Sequence, residues 1–177
     1  MQVTLAKTYY NSKKRPRVPN IVGWWVSEKL DGWRVYTKDG RLYSRNGNLI
    51  DAPAEWLASF PKSITLDGEL MSYVFVNGRY VPSRNTLASI IRSRGTSKNM
   101  WLKIRFHVFD AFVHGDYRKR YDLLSRFHGI GPILRVPQKI ITSYDDLKKS
   151  FYRVAQRGGE GIMLRDPFAP YIEGRTD

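Results

Sequence analysis

The residue best placed in the sequence for covalent chemistry is Lys29. It follows an apolar segment and lies within the run Glu28-Lys29-Leu30-Asp31-Gly32-Trp33-Arg34, whose pattern is Lys-x-Asp-Gly-x-Arg. At the edge of a sheet, desolvation and a nearby cation such as Arg34 favour the neutral amine over the ammonium. Because only the neutral amine is a nucleophile, the pattern indicates a lysine that bonds covalently to its substrate. For a lone lysine, however, an ordinary solvated side chain before a turn is the favoured interpretation.

Two further segments carry carboxylates that could act with such a lysine. In the run 66–71, strand alternation places Asp67 and Glu69 on one face with Met71. If that face is covered, Glu69 is costly to bury unless it binds a hydroxyl, a cation or a metal. Glu160 opens an apolar run after two glycines, and its carboxylate suits Mg²⁺ because hard cations prefer oxygen ligands. For both acids the alternative is a side chain turned to water.

The charge balance points to a polyanionic partner. The 177 residues include 30 lysines and arginines against 16 acids, a formal net charge of +14. Nucleic acid is the first expected partner, and an anionic membrane surface is the second. The segment from Ser83 to Arg105 has six cations and no acid, and the segment Met1–Ile50 is also basic. The two segments predict either one binding surface or two separate solvated faces.

Several classes of protein are excluded by what the sequence lacks. It has no cysteine, which rules out disulfides, a thiol nucleophile and cysteine-bound zinc or iron–sulfur centres. No apolar run approaches the ~20 residues of a membrane span, and the N-terminus has no secretory signal pattern. These features predict an intracellular protein without a membrane partner, and we expect a monomer. The run 13–17, Lys-Lys-Arg-Pro-Arg, is either a nuclear import signal or part of a frayed arm.

Hairpin and capping signals predict the elements that position these residues. Asp39-Gly40 and Asn77-Gly78 indicate two hairpins. The predicted strands are Trp24–Glu28, Trp33–Lys38, Arg41–Ser44, Ile64–Tyr73, Lys103–Val113 and Gly161–Leu164. The predicted helices are Pro53–Phe60, one capped by Ser83 that ends near Arg92, Arg118–Phe127, and one that starts at a Ser143–Asp146 capping box and ends near Arg157. Strands in hairpins with interspersed helices predict an α+β fold, in which helices flank mainly antiparallel sheets.

Taken together, the three motifs resemble those of a known superfamily. Lys-x-Asp-Gly-x-Arg at 29–34, Asp-Gly-Glu at 67–69 and Glu-Gly-x-Met-x-Arg at 160–165 occur in a set order. This set resembles the covalent nucleotidyltransferases, which comprise ATP-dependent DNA ligases, RNA ligases and mRNA capping enzymes. The amino-acid sequences of residues 23–34 and of Tyr43–Gly47 are most similar to those of the small ATP-dependent DNA ligases of viruses and bacteria. The implied fold is that of the nucleotidyltransferase (ATP-grasp-like DNA ligase) domain.

The resemblance also implies roles for single residues. Lys29 would attack the α-phosphorus of ATP and form lysyl-AMP. AMP would then pass to the 5′-phosphate of a nick in duplex DNA, which the 3′-hydroxyl would seal. Glu69 would contact the ribose and assist phosphoryl transfer, and Glu160 would bind the catalytic Mg²⁺ or Mn²⁺, with Glu69 as a second metal ligand. The implied nucleotide-binding residues are Glu28, Asp31, Gly32, Arg34, Phe109, which would stack on adenine, and Met163 on its other face. Arg45, with Ser44, would contact the nick 5′-phosphate.

The resemblance leaves alternatives for both architecture and activity. We expect a basic arm over residues 1–22 and an adenylation domain over residues 23–177. In the family the pattern continues past residues 174–176 to a Lys-x-Lys strand and an OB-fold domain, and neither is expected within these 177 residues. An RNA ligase, a capping guanylyltransferase and a non-catalytic nucleic-acid-binding relative are the alternative functions. An NAD-dependent ligase is disfavoured because such enzymes carry cysteine-bound zinc.

Overall fold

The computed structural model describes residues 3, 20–93 and 98–174. The strands are β1 (Trp25–Glu28), β2 (Trp33–Lys38), β3 (Arg41–Ser44), β4 (Leu49–Ile50), β5 (Leu66–Val76), β6 (Arg79–Pro82), β7 (Ile104–Ala111), β8 (Ile133–Arg135), β9 (Lys139–Ile140) and β10 (Ile162–Arg165). The helices are α1 (Ala54–Leu57), α2 (Arg84–Arg92), α3 (Lys98–Trp101), α4 (Tyr117–Leu123), continued by a 3₁₀ turn over Leu124–Phe127, and α5 (Tyr144–Ala155).

Within the described residues these strands form two sheets. The small sheet is antiparallel with the order β10-β1-β9, and the large sheet has the order β4-β3-β2-β5-β7-β8, with β6 paired to β5. The chain leaves the small sheet at the end of β1 and enters the large sheet at β2, so residues 29–32 connect the two. Trp25 of β1 makes edge contacts with Tyr117 and Tyr121, at ring-centroid distances of 5.8 and 5.2 Å. The small sheet therefore packs on the large-sheet core through this tryptophan.

Both predicted hairpins are confirmed, and their turns show why these residue pairs form them. Asp39 and Gly40 have φ values of 52° and 71°, and Asn77 and Gly78 have 49° and 78°. Two successive residues with positive φ match the right-handed twist of the flanking strands, and Asp, Asn and Gly tolerate that conformation best. The first hairpin joins β2 to β3, and the second joins β5 to β6.

Two helix starts follow the predicted capping chemistry. The Ser83 hydroxyl accepts a hydrogen bond from the backbone N–H of Thr86, and the Ser143 hydroxyl accepts one from that of Asp146. The reciprocal half of the predicted capping box is replaced by other contacts. The Asp146 carboxylate accepts from the backbone N–H of Thr142 and pairs with Lys139, which lowers the pKa of Asp146.

The main core lies against one face of the large sheet. Leu66 and Leu70 of β5 are fully buried there with Phe106 and Val108 of β7. Asp67 and Glu69 alternate with these residues and lie on the opposite face, as strand alternation predicts. A second, smaller cluster of Ile21, Val26 and Ile141 packs beside the small sheet. The strand that fills the core therefore also carries the two acids to the face where the site lies.

The α+β architecture with mainly antiparallel strands is confirmed, and several local details differ from the prediction. Strand β8, which the sequence pattern does not reveal, pairs parallel with β7. The sequence pattern also does not predict the short strands β4 and β9 or the helix α3. Pro53 precedes α1 as its N-cap and does not occupy the first turn. The basic run 13–17 lies outside the described residues. No helix in the described part of the chain is long and apolar enough to cross a bilayer.

Candidate active site

An open cleft of about 470 Å³ lies where the two sheets meet. Eight of the residues predicted from the motifs line it: Lys29, Asp31, Gly32, Arg34, Ser44, Arg45, Glu69 and Glu160. They come from the connection after β1, from β2, from the end of β3 and the residue that follows it, from β5, and from the second residue before β10. Segments up to 131 residues apart in sequence therefore contribute to one cavity.

Lys29 is held at this junction by its backbone and by its side chain. Its backbone N–H donates to the carbonyl of Gly161 at 2.8 Å, which extends the antiparallel pairing of β1 with β10. Its Nζ forms an ion pair with the Glu160 carboxylate, and both side chains are nearly half exposed, at 44% and 45%. An amine with a carboxylate neighbour and access to solvent can be reached by a substrate in the cleft.

Gly32 is required where the connection passes over β5. Its N–H donates to Glu69 Oε1 at 3.2 Å. A Cβ at this position would lie 2.1 Å from the carbonyl oxygen of Leu70 and 2.7 Å from Met71 Sδ. Only glycine therefore allows the backbone to come close enough to hydrogen-bond the Glu69 carboxylate.

Glu69 is partly buried on the site face of β5. Burial raises its pKa to about 7, although the Arg34 guanidinium and the Gly32 N–H each oppose the shift. Arg34 lies directly opposite Glu69 in the β2–β5 pairing. A carboxyl group that titrates near neutral pH can exchange a proton during a reaction.

Arg34 forms a bidentate pair with Asp67, the other acid on this face. Arg34 Nε lies 2.6 Å from Asp67 Oδ1, and Nη2 lies 2.7 Å from Oδ2. The Asp67 side chain is fully buried, whereas that of Arg34 is 20% exposed. The rigid fork of an arginine matches a carboxylate in this geometry. Arg34 is thus fixed from behind while it lines the cleft.

The rim of the cleft carries two further arginines. Arg84, the first residue of α2, pairs with Asp31 at 3.0 Å. Arg45 lies in a tight turn closed by the Ser44 N–H bond to the Asn48 carbonyl, and the Ser44 hydroxyl accepts from the Asn48 N–H. Lys29, Arg34 and Arg84 each pair with a carboxylate, but the Arg45 guanidinium pairs with none among the described residues.

Three predicted nucleotide-binding residues do not line this cleft. The ring of Phe109 is contacted by the guanidinium groups of Arg34 and Arg165, at 4.5 and 4.8 Å from its centroid. Phe109 is also the extra residue at the irregularity where the β5–β7 register shifts. Met163 lies on β10 opposite Ser27. Glu28 pairs with Arg157 at 3.2 Å.

Sequence reasoning missed several residues of the site. Arg84 and Asn46 line the cleft, but no role is predicted for either one; Asn46 lies within the Tyr43–Gly47 segment, whereas Arg84 lies outside every motif. Tyr171, from the segment after β10, donates its hydroxyl to Asp67 Oδ2 at 2.7 Å. The only sequence signal for Arg84 is its position after the Ser83 cap in an acid-free segment. Nothing in the pattern predicts the contact of Tyr171, which lies 104 residues from its partner.

Comparison with known proteins shows similarity to DNA ligases over most of this chain. A family model described as ATP dependent DNA ligase domain matches residues 5–177. A DNA ligase of Haemophilus influenzae is 29% identical over 160 residues, which cover 88% of this chain and 56% of the relative. A DNA ligase of Archaeoglobus fulgidus is 27% identical over 85% of this chain and 28% of its own length. The chain thus spans about half of the first of these relatives and less of the second.

Solved structures of ligases share the fold. A Lig E DNA ligase, described in a study of DNA binding with a minimal scaffold, superposes with a TM-score of 0.78. It is 34% identical, and the match covers the whole of this chain and 66% of that protein. The Chlorella virus DNA ligase-adenylate has a TM-score of 0.72 at 19% identity, with 99% of this chain and 64% of that one covered.

A lysine among carboxylates and arginines where two sheets meet is the arrangement that the resemblance to the covalent nucleotidyltransferases implies, and these neighbours share the fold. Within that class the chain belongs to the ATP-dependent DNA ligase domain family, because the family model matches nearly all of it. The expected membership in the ligase branch is thereby confirmed. Neither the RNA ligase nor the capping enzyme alternative gains support from these matches.

Proposed function

We propose that this chain carries out the adenylylation chemistry of an ATP-dependent DNA ligase, with Lys29 as the nucleophile. Lys29 Nζ attacks the α-phosphorus of ATP, a P–N bond forms, and the bond to the bridging oxygen breaks as pyrophosphate leaves with the electron pair. The pairing of Lys29 with Glu160 inside the cleft is the observation that carries the proposal. The carboxylate is the hydrogen-bond acceptor closest to the proton that the ammonium must lose before attack.

The other groups of the cleft suit the binding of a nucleoside triphosphate. Arg34, held by Asp67, presents a fixed cation, and Glu69 supplies a second carboxylate that can exchange a proton near neutral pH. The roles of Asp31, Gly32, Glu28 and Met163 in nucleotide binding are part of the same proposal. Phe109 can stack on adenine once the guanidinium group of Arg34 or Arg165 moves away from its ring.

The residues present fit a divalent cation that is shared with the substrate. The described residues contain no group of three or more histidine or acidic side chains arranged to bind a metal by themselves. Mg²⁺ commonly uses one or two protein carboxylates and takes its other ligands from water and phosphate oxygens. Glu160 and Glu69, which line the same cleft, would hold it. When bound, the ion neutralises charge that develops on the leaving pyrophosphate.

The nucleic-acid part of the proposal rests on the cations of the rim. Arg45, together with Ser44, would bind the 5′-phosphate at a nick, since its guanidinium has no carboxylate partner in the described residues. An oxygen of that phosphate then bonds to the phosphorus of AMP as the P–N bond to Lys29 breaks, and the electron pair returns to the lysine nitrogen. The 3′-hydroxyl next attacks the phosphorus of the 5′-phosphate, and AMP leaves with the electron pair of the bond that breaks. The net charge of +14 favours binding to the DNA backbone.

The test is intact-mass measurement after incubation of the chain with ATP and Mg²⁺. We expect a mass increase of one AMP, no increase with GTP, and no increase in the Lys29→Arg variant. Arginine keeps the charge beside Glu160 but cannot be deprotonated in a protein. Lys62→Arg, at an exposed lysine outside the cleft, is the matched control and should be modified like the wild type. An adduct that persists in Lys29→Arg would identify another nucleophile, and no adduct in the wild type would favour a non-catalytic relative.

A further inference from the structure

Asp67 is a fully buried carboxylate in the middle of the large sheet, and its charge needs several donors. Arg34 supplies two, one to each oxygen. The Tyr171 hydroxyl supplies a third, to Oδ2 at 2.7 Å. Because a buried charge is stable only when it is paired and hydrogen-bonded, the tyrosine is part of the group that fixes the arginine fork.

Tyr171 is itself held by the main body of the domain. Its ring lies 4.1 Å from that of Phe112, between centroids, and the Arg120 guanidinium lies 5.6 Å from its centroid. Arg120 Nη1 also donates to the carbonyl of Ala169 at 3.0 Å, two residues before the tyrosine. Arg120 is anchored in turn by Asp110, with Nε at 2.7 Å from Oδ1. The segment after β10 is therefore fixed at two points, and these place the Tyr171 hydroxyl.

We infer that Tyr171 is a positioning residue for nucleotide binding, acting on Arg34 through Asp67. The hydroxyl holds Asp67 Oδ2 in the orientation that receives Arg34 Nη2, and the arginine is thereby aimed at the cleft that it lines. The inference rests on the proposed function, since it requires that the cleft bind ATP. It adds a residue from outside the three motifs to the group that recognises the nucleotide.

The test is the Tyr171→Phe variant of the full chain, which keeps the ring on Phe112 and below Arg120 and removes only the hydroxyl. Lysyl-AMP formation is followed by intact mass over a range of ATP concentrations with Mg²⁺. We expect the KM for ATP to rise about three- to tenfold with kcat within about twofold, which is the size expected for loss of one ordinary hydrogen bond, because the hydroxyl acts on ATP only through Asp67 and Arg34. Tyr121→Phe is the matched control, because its hydroxyl donates to the Val136 carbonyl away from Asp67, and it should keep the wild-type KM.

A double-mutant cycle separates positioning from a general structural effect. In an Arg34→Lys background, Tyr171→Phe should change the KM by less than about twofold, because the residue through which it acts is already altered. An unchanged KM in Tyr171→Phe, an equal change in Tyr121→Phe, or a full effect that persists in the Arg34→Lys background would each overturn the inference while leaving the proposed function intact.

The same comparison can be made by binding if the wild type forms no adduct. The dissociation constant of ATP with Mg²⁺, measured by calorimetry, should then rise by the same three- to tenfold in Tyr171→Phe. In that case the inference about Tyr171 holds and the covalent step of the proposed function is wrong. A wild-type chain that neither reacts with ATP nor binds it would overturn both.

Discussion

The ion pairs of this protein fall into two groups that differ in their access to water. The exposed pairs are Lys29–Glu160, Asp31–Arg84 and Glu28–Arg157, whose side chains are 41–63% exposed. The buried pairs are Arg34–Asp67 and Arg120–Asp110, whose side chains are at most 20% exposed. The charges are of the same kind in both groups, and only their burial differs.

This difference indicates a division of roles. An exposed pair is worth about 0–1 kcal/mol, so a ligand with phosphate charges can replace one partner at little cost. A buried pair cannot be opened without leaving a desolvated charge, so it fixes the geometry of whatever is attached to it. The nucleophile and the rim arginine belong to the first group. The second group holds Arg34, which lines the cleft, and the segment that carries Tyr171.

The largest contrast is expected from removal of one arginine from each group. Arg120→Met leaves Asp110 without its closest partner and also removes donors to the Gly115 and Ala169 carbonyls. We expect the free energy of unfolding to fall by about 4 kcal/mol. Arg84→Met breaks a pair of similar length at the exposed rim. It should change the free energy of unfolding by less than about 0.5 kcal/mol. Urea unfolding of both variants measures the difference, and equal losses would abolish the distinction between the groups.

Glu69 lies at the boundary between the two groups, and its stability effect should depend on pH. Its pKa is about 7 in the folded chain against an ordinary 4.5, so between these values the folded state binds more protons there than the unfolded state. The contribution of Glu69 to the free energy of unfolding is therefore greatest below pH 4.5, and it declines by on the order of 3 kcal/mol as the pH rises through 7.

The Glu69→Gln variant tests this dependence because it imitates the protonated carboxyl group. Its stability relative to the wild type should increase between pH 4.5 and pH 8, as measured by urea unfolding at several pH values. Glu160→Gln, at the exposed carboxylate of the same cleft, is the control. Its difference in stability from the wild type should change by less than about 0.5 kcal/mol over the same pH range. A constant gap between Glu69→Gln and the wild type would show that Glu69 is ionised throughout this range.

The smallest effect is expected at the cation of the rim that has no carboxylate partner in the described residues. Arg45→Ala should weaken binding to nicked duplex DNA about fivefold at moderate salt and reduce the slope of log affinity against log salt by about 1. Arg41→Ala is the control, because it removes the same charge from the start of β3, whereas Arg45 follows the end of that strand. Fluorescence anisotropy titrations at several salt concentrations compare the two. If both variants lose the same affinity, Arg45 contributes only net charge.

Short-range patterns in the sequence were sufficient for much of the fold. The Asp39-Gly40 and Asn77-Gly78 turns and the Ser83 and Ser143 caps all form as expected, because each depends on backbone geometry over two to four residues. The alternation that places Asp67 and Glu69 opposite the core also follows from the two-residue period of a strand. The parallel pairing of β8 with β7 does not follow, since a three-residue strand carries too weak a pattern.

The candidate site divides in the same way. The order and spacing of the motifs determined which residues would do the chemistry, because Lys29, Gly32 and Arg34 lie within one turn and the start of one strand. Only the tertiary structure decided that Glu160 would reach Lys29, that Arg84 would pair with Asp31, and that Tyr171 would bind Asp67. These contacts join residues 53 to 131 positions apart. They depend on strand register and on how the two sheets pack, and no local period in the sequence encodes either one.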